Sequence, residues 1–566
     1  MISYLEWNEF LRKIAEQPTD SLDFILLTKT EVPHNNLDEQ NWLIEITRSL
    51  RPGGLLFIHG EPEELPTIGV YLDQLITFKY WIAVESDPPR QRAGLPSVHS
   101  GILLFTKGKK FDIQKVRFPH QICKACGKPL RDWGGKTHLM NPEGYAISDV
   151  WKDLPPSNNN DYLSVAILEI ILKMLPKSIE QISGIIAPNS AIEEYILPNQ
   201  LQIISVTEQK AEYSHPSKQF SFPELYPQVF EDERHETNQT GSKFWNRVIR
   251  GDILEVLRQY PDESIDLVFA DPPYNLDKSY NTYDDEKDRI TYLNWCNAWL
   301  DEYIRILKPS GSLYLLNLPH WAMYHADYLN KRLFFQNWIV WDALSEPRGK
   351  IMPAHYALLF YTHHPTNFTF NYQEISPLDA RIYCLRSSCI HQRKNRGDDL
   401  KEPLTDIWWD IHRLKHRRDR DYHPCQLPEA LMERIILLST NPGDVVLDGL
   451  AGTGTTAIVA SRLGRRYVAI DLDEEYIEIT NQKLAQVKYL GNVQRISTKR
   501  KRNHYSKKAL QLELQEITRQ LGRLPTQDEV NNLSKYGLEA FLTTFPTWGK
   551  ALKAAKLEVS SGHNSQ

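Results

Sequence analysis

Pro52, Trp81 and Trp151 each have a counterpart 257 residues further along the chain: Pro309, Trp338 and Trp408. A fixed separation at three such places marks a repeated supersecondary plan. The surroundings agree. SLRPGGLLFIHG (49–60) pairs with ILKPSGSLYLLN (306–317), YLDQLITFKYWIAV (71–84) with YLNKRLFFQNWIVW (328–341), and SDVWKDL (148–154) with TDIWWDI (405–411). Any fold for this chain must therefore hold two similar halves, about 1–180 and 252–440. At 566 residues the chain has room for two large domains and a small one.

The halves part company at one point. QPTDSLDFILLTKTEVPHN (17–35) parallels YPDESIDLVFADPPYN (260–275), and in both an apolar run reads as a short interior strand. In the second half the run Leu267–Ala270 stops at Asp271, Pro272, Pro273 and Tyr274; in the first, Thr28, Lys29 and Thr30 stand nearby instead. Two prolines fix the backbone and remove two amide donors, leaving carbonyls in set directions. An acceptor, a rigid carbonyl and a flat ring at a strand end suit a planar group bearing an amino nitrogen. The first half is thus expected to fold like the second without reacting. It would serve as a built-in partner, help hold the substrate, or stand as a divergent scaffold.

From 441 the chain reads NPGDVVLDGLAGTGTTAIVASRLGRRYVAIDLDEEY. Val445–Leu447 predict a strand, DGLAGTG a glycine-rich turn, Thr455 onward a helix, and RRYVAID a second strand ending in Asp471. Gly449, Gly452 and Gly454 allow close backbone approach to an adenosine-type cofactor, and an acid closing the next strand can accept from ribose hydroxyls. The glycines are spaced three and two apart, which is not the G-x-G-x-x-G dinucleotide pattern, and no G-K-[ST] ending marks a triphosphate loop.

Together these motifs resemble the S-adenosylmethionine-dependent amino-group DNA methyltransferases, specifically the permuted beta group, in which the catalytic motif precedes the cofactor motif. DPPY (271–274) matches the family's catalytic motif. NRVIRGDILEVL (246–257) resembles the segment before it, with Asp252 where the family contacts the cofactor's adenine. HPCQLPEALMERII (423–436) resembles a His-Pro-Thr-Gln-Lys-Pro helix start, carrying His423 and Gln426 and departing at Cys425 and Leu427. DGLAGTGTT (448–456) resembles Asp-Pro-Phe-x-Gly-Ser-Gly-Thr-Thr, with Asp448 and Thr455 kept and Leu450 replacing phenylalanine, so that it packs but cannot stack. The resemblance implies an α/β, doubly wound Rossmann-like methyltransferase fold, internally duplicated, with S-adenosyl-L-methionine as cofactor. It also implies a target base taken out of the stack of duplex DNA. Tyr274 would stack on that base, while Asp271 and the Pro272 carbonyl accept from its exocyclic amine. N6 of adenine is the expected target, and N4 of cytosine stands second to it. An RNA amino-methyltransferase, or a catalytically silent scaffold that binds nucleic acid, would also fit such a chain.

The net charge of −6 confines any phosphate-binding surface to local patches. QRKNRGDD (392–399), HRLKHRRDRDYHP (412–424) and STKRKRNHYSKKAL (497–510) are such patches, or plain solvated surface. The stretch of about 365–422 is expected to read target sequence. Arg381, Arg386, Arg393, Arg396, Arg413, Lys415 and Arg417, with Lys499 and Arg500 further on, are its candidate contacts. Cys123 and Cys126 form a C-x2-C knuckle, and Cys384 and Cys389 stand in the second half. The pairs converge into one four-cysteine zinc site, or His120, His138 or His391 complete smaller ones, or all are free thiols.

The expected domains are 1–180, a connecting insert 181–244, a catalytic domain 245–492, a basic linker 493–512 and a small helical DNA-binding-like domain 513–558. This last resembles repeats found beside homing endonucleases; it could equally be a helical cap with Phe545 and Trp548 in its core. No apolar run approaches the roughly 20 residues that span a bilayer, and the first residues lack a signal peptide's pattern. A cytoplasmic, nucleoid-associated protein is expected, monomeric or dimeric, with a restriction endonuclease as a candidate companion.

Overall fold

The computed structural model describes residues 2–28, 41–130, 140–152, 154, 163–176, 182–188, 244–275, 287–343, 349–384, 386–398, 400–414, 426–489, 507–545 and 548–557. These fall into two units, 1–494 and 495–566.

In the first unit, apolar runs too continuous for one-sided burial become strands covered on both faces. The N-terminal strands are β1 (Ile2–Tyr4), β2 (Leu22–Leu27), β3 (Leu50–Gly60), β4 (Thr77–Arg90), β5 (Ser97–Thr106), β6 (Arg117–Phe118), β7 (Tyr145–Ala146), β8 (Val150–Trp151) and β9 (Gly184–Ala187). They alternate with helices α1 (Trp7–Glu16), α2 (Asn41–Ser49), α3 (Leu65–Leu72) and α4 (Val165–Met174). Seven of the strands form one sheet in the order β1-β9-β2-β3-β5-β4-β8, while β6 and β7 pair separately. Pairing is parallel as far as β3, antiparallel through β5 and β4, and parallel again at β8.

The C-terminal strands are β10 (Arg247–Arg250), β11 (Ile265–Ala270), β12 (Leu307–Asn317), β13 (Phe334–Asp342), β14 (His355–Thr362), β15 (Leu378–Asp379), β16 (Lys401–Glu402), β17 (Ile407–Trp408), β18 (Val445–Asp448) and β19 (Arg466–Asp471). Their helices are α5 (Ile253–Leu257), α6 (Arg289–Ile306), α7 (Pro319–Leu329), α8 (Ser387–Arg396), α9 (Glu429–Ser439), α10 (Thr455–Arg462) and α11 (Glu474–Leu484). The second sheet runs β10-β19-β18-β11-β12-β14-β13-β17, with the same change from parallel to antiparallel and back.

The two sheets meet through like elements. Trp81 of β4 stacks on Trp338 of β13 with ring centroids 3.8 Å apart and planes 9° from parallel. Helix α3 packs on α7, where Thr67 donates to Asp327 at 2.9 Å, and Tyr324 and His320 bond Asp73 at 2.7 and 2.8 Å. The polar contacts are reciprocal. Asp406 accepts from the Val98 amide at 2.9 Å, and Asp149, the residue 257 positions earlier, accepts from the amides of Ala354 and His355 at 2.7 and 3.1 Å. One apolar core runs through both halves.

Three expected boundaries are corrected. Strand β9 lies within the stretch expected to be a connecting insert from 181. Its run GIIA is completely buried because it gains parallel partners on both edges, β1 and β2. The expected recognition stretch, about 365–422, overlaps the main sheet, since its β17 closes the edge on β13. In the second unit α12 (Lys507–Leu521) starts inside the expected basic linker, and α13 (Gln527–Leu533), α14 (Gly537–Thr544) and α15 (Trp548–Ala554) follow. Leu510, Leu514, Val530, Phe541 and Phe545 form this unit's core, with Trp548 packed against it. Thr526 and Glu529 build a reciprocal capping box on α13.

Among the described residues no helix is long and apolar enough to cross a membrane.

Candidate active site

Strands β10, β19, β18 and β11 are parallel neighbours, and the chain leaves β18 and β11 toward opposite sides of the sheet. Such a switch point leaves a crevice at the carboxyl ends of the strands. A cavity of about 410 Å³ lies there. Its wall takes Asp271, Pro272, Pro273 and Tyr274 from the end of β11, and Asp448, Gly449, Leu450, Gly452 and Thr455 from the turn between β18 and α10. Asp252 before α5, Gln426 before α9 and Asp471 at the end of β19 complete it. Segments nearly 220 residues apart in sequence thus face one space.

The Asp271 corner is held from several directions. The Tyr274 hydroxyl donates to Asp271 Oδ1 at 2.8 Å, and its ring is 4% exposed, tilted against Tyr356. Tyr292 of α6 donates its hydroxyl to the Pro273 carbonyl at 2.8 Å. Asn275 bonds both the amide and the carbonyl of Lys287, at 2.8 and 2.7 Å, and so closes the chain where the described residues resume. Tyr292, Asn275 and Lys287 escaped the sequence analysis. Tyr292 reads as one more core aromatic of a helix, and the Asn275 clamp depends on a partner twelve residues away.

The turn side is acidic and tight. Asp448 is buried; it accepts from Thr456 Oγ1 at 2.5 Å and the Leu450 amide at 3.1 Å. Burial pushes its carboxyl up to about 6, against the pull of those bonds and with nearby Asp471 adding to the rise. Asp471 accepts from the Gly452 amide at 2.8 Å and the Asp473 amide at 2.9 Å, and burial raises it to about 6 as well. Asp252 caps α5, accepting from the Leu254 amide at 2.9 Å and the Glu255 amide at 3.3 Å. The Gly449 amide donates to Tyr303 Oη at 3.0 Å.

Gly454 departs from expectation. It does not line the cavity; its φ is +75° and a Cβ there would stand 2.2 Å from Thr480 Cγ2. It serves the left-handed turn into α10 and the approach of α11. His423 lies outside the described residues.

The expected DNA contacts need a larger correction. Arg381 forms a two-pronged pair with Glu85 at 3.0 and 2.6 Å and also reaches Glu402 at 3.2 Å. Arg386 donates to the Pro129 carbonyl at 2.7 Å. Arg393 is 1% exposed, with its guanidinium 4.2 Å from the Tyr383 ring centroid. These three hold the 365–422 insert of the catalytic domain together and to the N-terminal half, because the planar fork of arginine satisfies carboxylates and carbonyls inside a fold as readily as phosphates outside it. Arg396 is exposed and Arg413 half-buried, while Lys415, Arg417, Lys499 and Arg500 lie outside the described residues.

A family model described as DNA methylase matches residues 265–482, and one described as homing endonuclease associated repeat matches 505–558. The chain is 37% identical over 288 residues to the type II methyltransferase M.BamHI of Bacillus amyloliquefaciens, a match covering 50% of this chain and 64% of that protein. It is 36% identical over 243 residues to the type II methyltransferase M.HpaI of Haemophilus parainfluenzae, covering 42% of this chain and 74% of the relative. The DNA adenine methyltransferase YhdJ of Escherichia coli is 35% identical over 245 residues, covering 42% and 82% respectively. The chain belongs to the DNA methylase family and carries an S-adenosylmethionine-dependent DNA methyltransferase domain. The cavity fits that cofactor: apolar walls from Ile253, Phe269, Leu450 and Leu472 suit a purine, and two buried acids suit hydroxyl and ammonium groups.

Proposed function

We propose that the protein methylates N6 of adenine in duplex DNA, as a beta-group enzyme whose N-terminal half is a catalytically silent copy of the catalytic half. The observation that carries this reading is the sharing of one cavity by the Asp271–Tyr274 corner and the acids Asp252 and Asp471. Bound S-adenosylmethionine supplies the electrophilic methyl group. Asp471 accepts from the ribose hydroxyls, Asp252 and Gln426 orient the adenine end against the apolar wall that includes Leu450, and Thr455 with the turn's backbone lines the methionine end. The flipped adenine stacks on Tyr274, whose hydroxyl gives up Asp271 Oδ1 to the incoming exocyclic amine. Asp271 and the Pro272 carbonyl then hold that amine with its lone pair directed into the cavity. Most of the rate gain comes from orientation and fixed dipoles rather than from a covalent enzyme intermediate.

The adenine choice is supported by likeness to YhdJ, which is named an adenine enzyme; N4 of cytosine is the second outcome of the test. The silent-copy reading is supported by the shared order of six strands, β9-β2-β3-β5-β4-β8 against β18-β11-β12-β14-β13-β17, and by the reciprocal contacts of Asp149 and Asp406. Like faces of two similar halves meet as in a two-fold dimer, so the N-terminal half would take the place of a second subunit and the protein would act as a monomer. DNA would lie against Arg396, Arg413 and the basic stretches 415–417 and 499–500, with the C-terminal unit as an added DNA anchor. M.BamHI and M.HpaI are named type II methyltransferases, which supports a restriction endonuclease as companion.

The test is nucleoside mass spectrometry on DNA from a host lacking amino-group methylation, expressing either the intact protein or Asp271→Ala. N6-methyladenine with the intact protein alone is the expected result. N4-methylcytosine would overturn the base, and unmodified DNA beside methylated RNA would overturn the substrate.

A further inference from the structure

Residues far apart in the chain bring four sulfurs to one point. Cys123 and Cys126 come from the N-terminal half, Cys384 and Cys389 from the insert before α9, and all four Sγ atoms lie within 4.8 Å of one another. The cross-half pairs Cys123–Cys389 and Cys126–Cys384 are 3.7 and 3.6 Å apart. Sulfurs joined by a disulfide sit near 2.05 Å. Four sulfurs each about 2.3 Å from one tetrahedral ion sit about 3.8 Å from each other. The observed spacing is that of ligands around a single ion.

The surroundings are built for such an ion. Cys123-Lys-Ala-Cys126-Gly127 is a knuckle: the Gly127 amide donates to the Cys123 carbonyl at 2.9 Å, with Gly127 at φ +65°, and the Cys123 amide donates to the Lys128 carbonyl at 2.8 Å. The Cys384 amide donates to Cys123 Sγ at 3.3 Å, the outer hydrogen bond that metal-bound thiolates favour. Cys123, Cys384 and Cys389 are buried and Cys126 half-buried, so the cluster is closed rather than open to a substrate. The neighbouring core is small: among the described residues, Ala380 and Tyr383 are its other buried members. Apolar packing alone gives little reason for two distant loops to meet here. Among the described residues the group that gathers here is these four cysteines, and His120 is not part of it.

We propose that Cys123, Cys126, Cys384 and Cys389 bind one zinc ion as tetrahedral thiolates, clamping the insert of the catalytic half to the N-terminal half. Binding displaces the thiol protons to solvent as each sulfur becomes a thiolate, with no change of oxidation state. The site is structural and independent of the methylation reading: it predicts metal content whichever base, or none, is methylated. Its reach into 378–402 makes it the clamp of the segment expected to face DNA.

Metal analysis of the full chain, purified under reducing conditions, tests this. One zinc per chain is expected, released by a mercurial that blocks thiols and counted with a colorimetric chelator. Cys126→Ser and Cys384→Ser should each lower zinc at least fivefold, while Cys296→Ala, a buried cysteine of α6 away from the cluster, should keep it. Should the serine variants misfold, Co(II) exchanged into the intact protein gives a second readout. The intense absorption of tetrahedral cobalt thiolates is expected. Stoichiometric iron, disulfides within the cluster by non-reducing peptide mass spectrometry, or four reactive thiols without metal would each overturn the proposal.

Discussion

Strands β2 and β11 have nearly the same setting and opposite chemistry. Each is buried with the same pattern along its six residues, and each loses register with its neighbour at the same step: Leu22 pairs with Leu50 and Phe24 with Leu55, as Ile265 pairs with Leu307 and Leu267 with Ser312. Past their ends they diverge. β2 leads into Thr28, fully buried, whose hydroxyl donates to the Pro188 carbonyl at 3.0 Å. β11 leads into Asp271 on an open cavity. The strands β2 and β11 are 243 residues apart, but the next pair, β3 and β12, are 257 apart, so the second half carries fourteen more residues directly after its catalytic strand. Apolar pattern and turns specify the sheet; a handful of polar residues and a longer connection set the two strand ends apart. The two can be altered separately.

The largest effect should therefore be a lopsided one. Asp271→Ala is expected to lower kcat by 10³-fold or more while leaving the unfolding midpoint nearly unchanged, because a half-exposed acceptor is lost and no core is opened. Thr28→Ala in the matching position should do the reverse: kcat unchanged and stability lower by about 1 kcal/mol, the usual worth of a buried hydrogen bond. Steady-state methylation and urea unfolding on the two variants measure both. A loss of kcat in Thr28→Ala would mean that the first half takes part in the reaction.

A second expectation concerns the seam between the halves. Trp81 and Trp338 are each about 1% exposed and stacked on each other. Trp81→Ala and Trp338→Ala should each cost about 3–5 kcal/mol, and the double variant should cost clearly less than their sum, because each removes the other's partner. Additive losses would show two independent cores instead of one.

The sequence revealed what is local or repeated. The strand, glycine turn, helix and acid between Val445 and Asp471 are a local pattern with few physical solutions, and the repeated tryptophans Trp81 and Trp338 stand on strands of two separate sheets. What stayed hidden depends on distant partners. GIIA at 184–187 is too short to be told from any buried run until β1 and β2 flank it. Arg381 looked like a DNA contact because nothing near it in sequence announces Glu85, 296 residues away. Gly454 looked like a cofactor glycine because Thr480, which forbids a side chain there, lies a helix further on.

That correction yields the third expectation, which compares arginines within one insert. Arg381→Ala should destabilise the fold and leave the salt dependence of DNA binding unchanged. Arg396→Ala, at an exposed position, should leave stability unchanged and lower the slope of log affinity against log salt by about 1. Binding titrations at several salt concentrations, with thermal unfolding of each variant, separate the two. Equal slopes for both variants and the parent protein would remove Arg396 from the interface.

The smallest effect is a pH effect on the catalytic side. Asp448 and Asp471 are both raised to about 6 by burial, above the value near 4 of an unfolded aspartate. Between about pH 4 and 6 the folded chain therefore holds protons that the unfolded chain has shed. Linkage makes each group's contribution to stability fall as pH rises through that window, reaching its least favourable value once the carboxylate is fully charged above 6. Cofactor binding should follow the opposite sign, because a carboxylate accepts from hydroxyls at both oxygens and more strongly than a protonated acid does at one. Affinity for S-adenosylmethionine is expected to weaken as pH falls below 6, by up to tenfold per unit for each acid that must be ionised. Asp471→Asn isolates one group: its affinity should be lower at pH 7.5 and less steep with pH than the parent's, the slope that remains being that of Asp448. Its stability relative to the parent should improve as pH rises from 4 to 7, since the variant never acquires the buried charge. Calorimetric titration and urea unfolding across that range measure the two slopes. If both slopes had the same sign, Asp471 would be acting on the fold alone and the ribose contact assigned to it would fall.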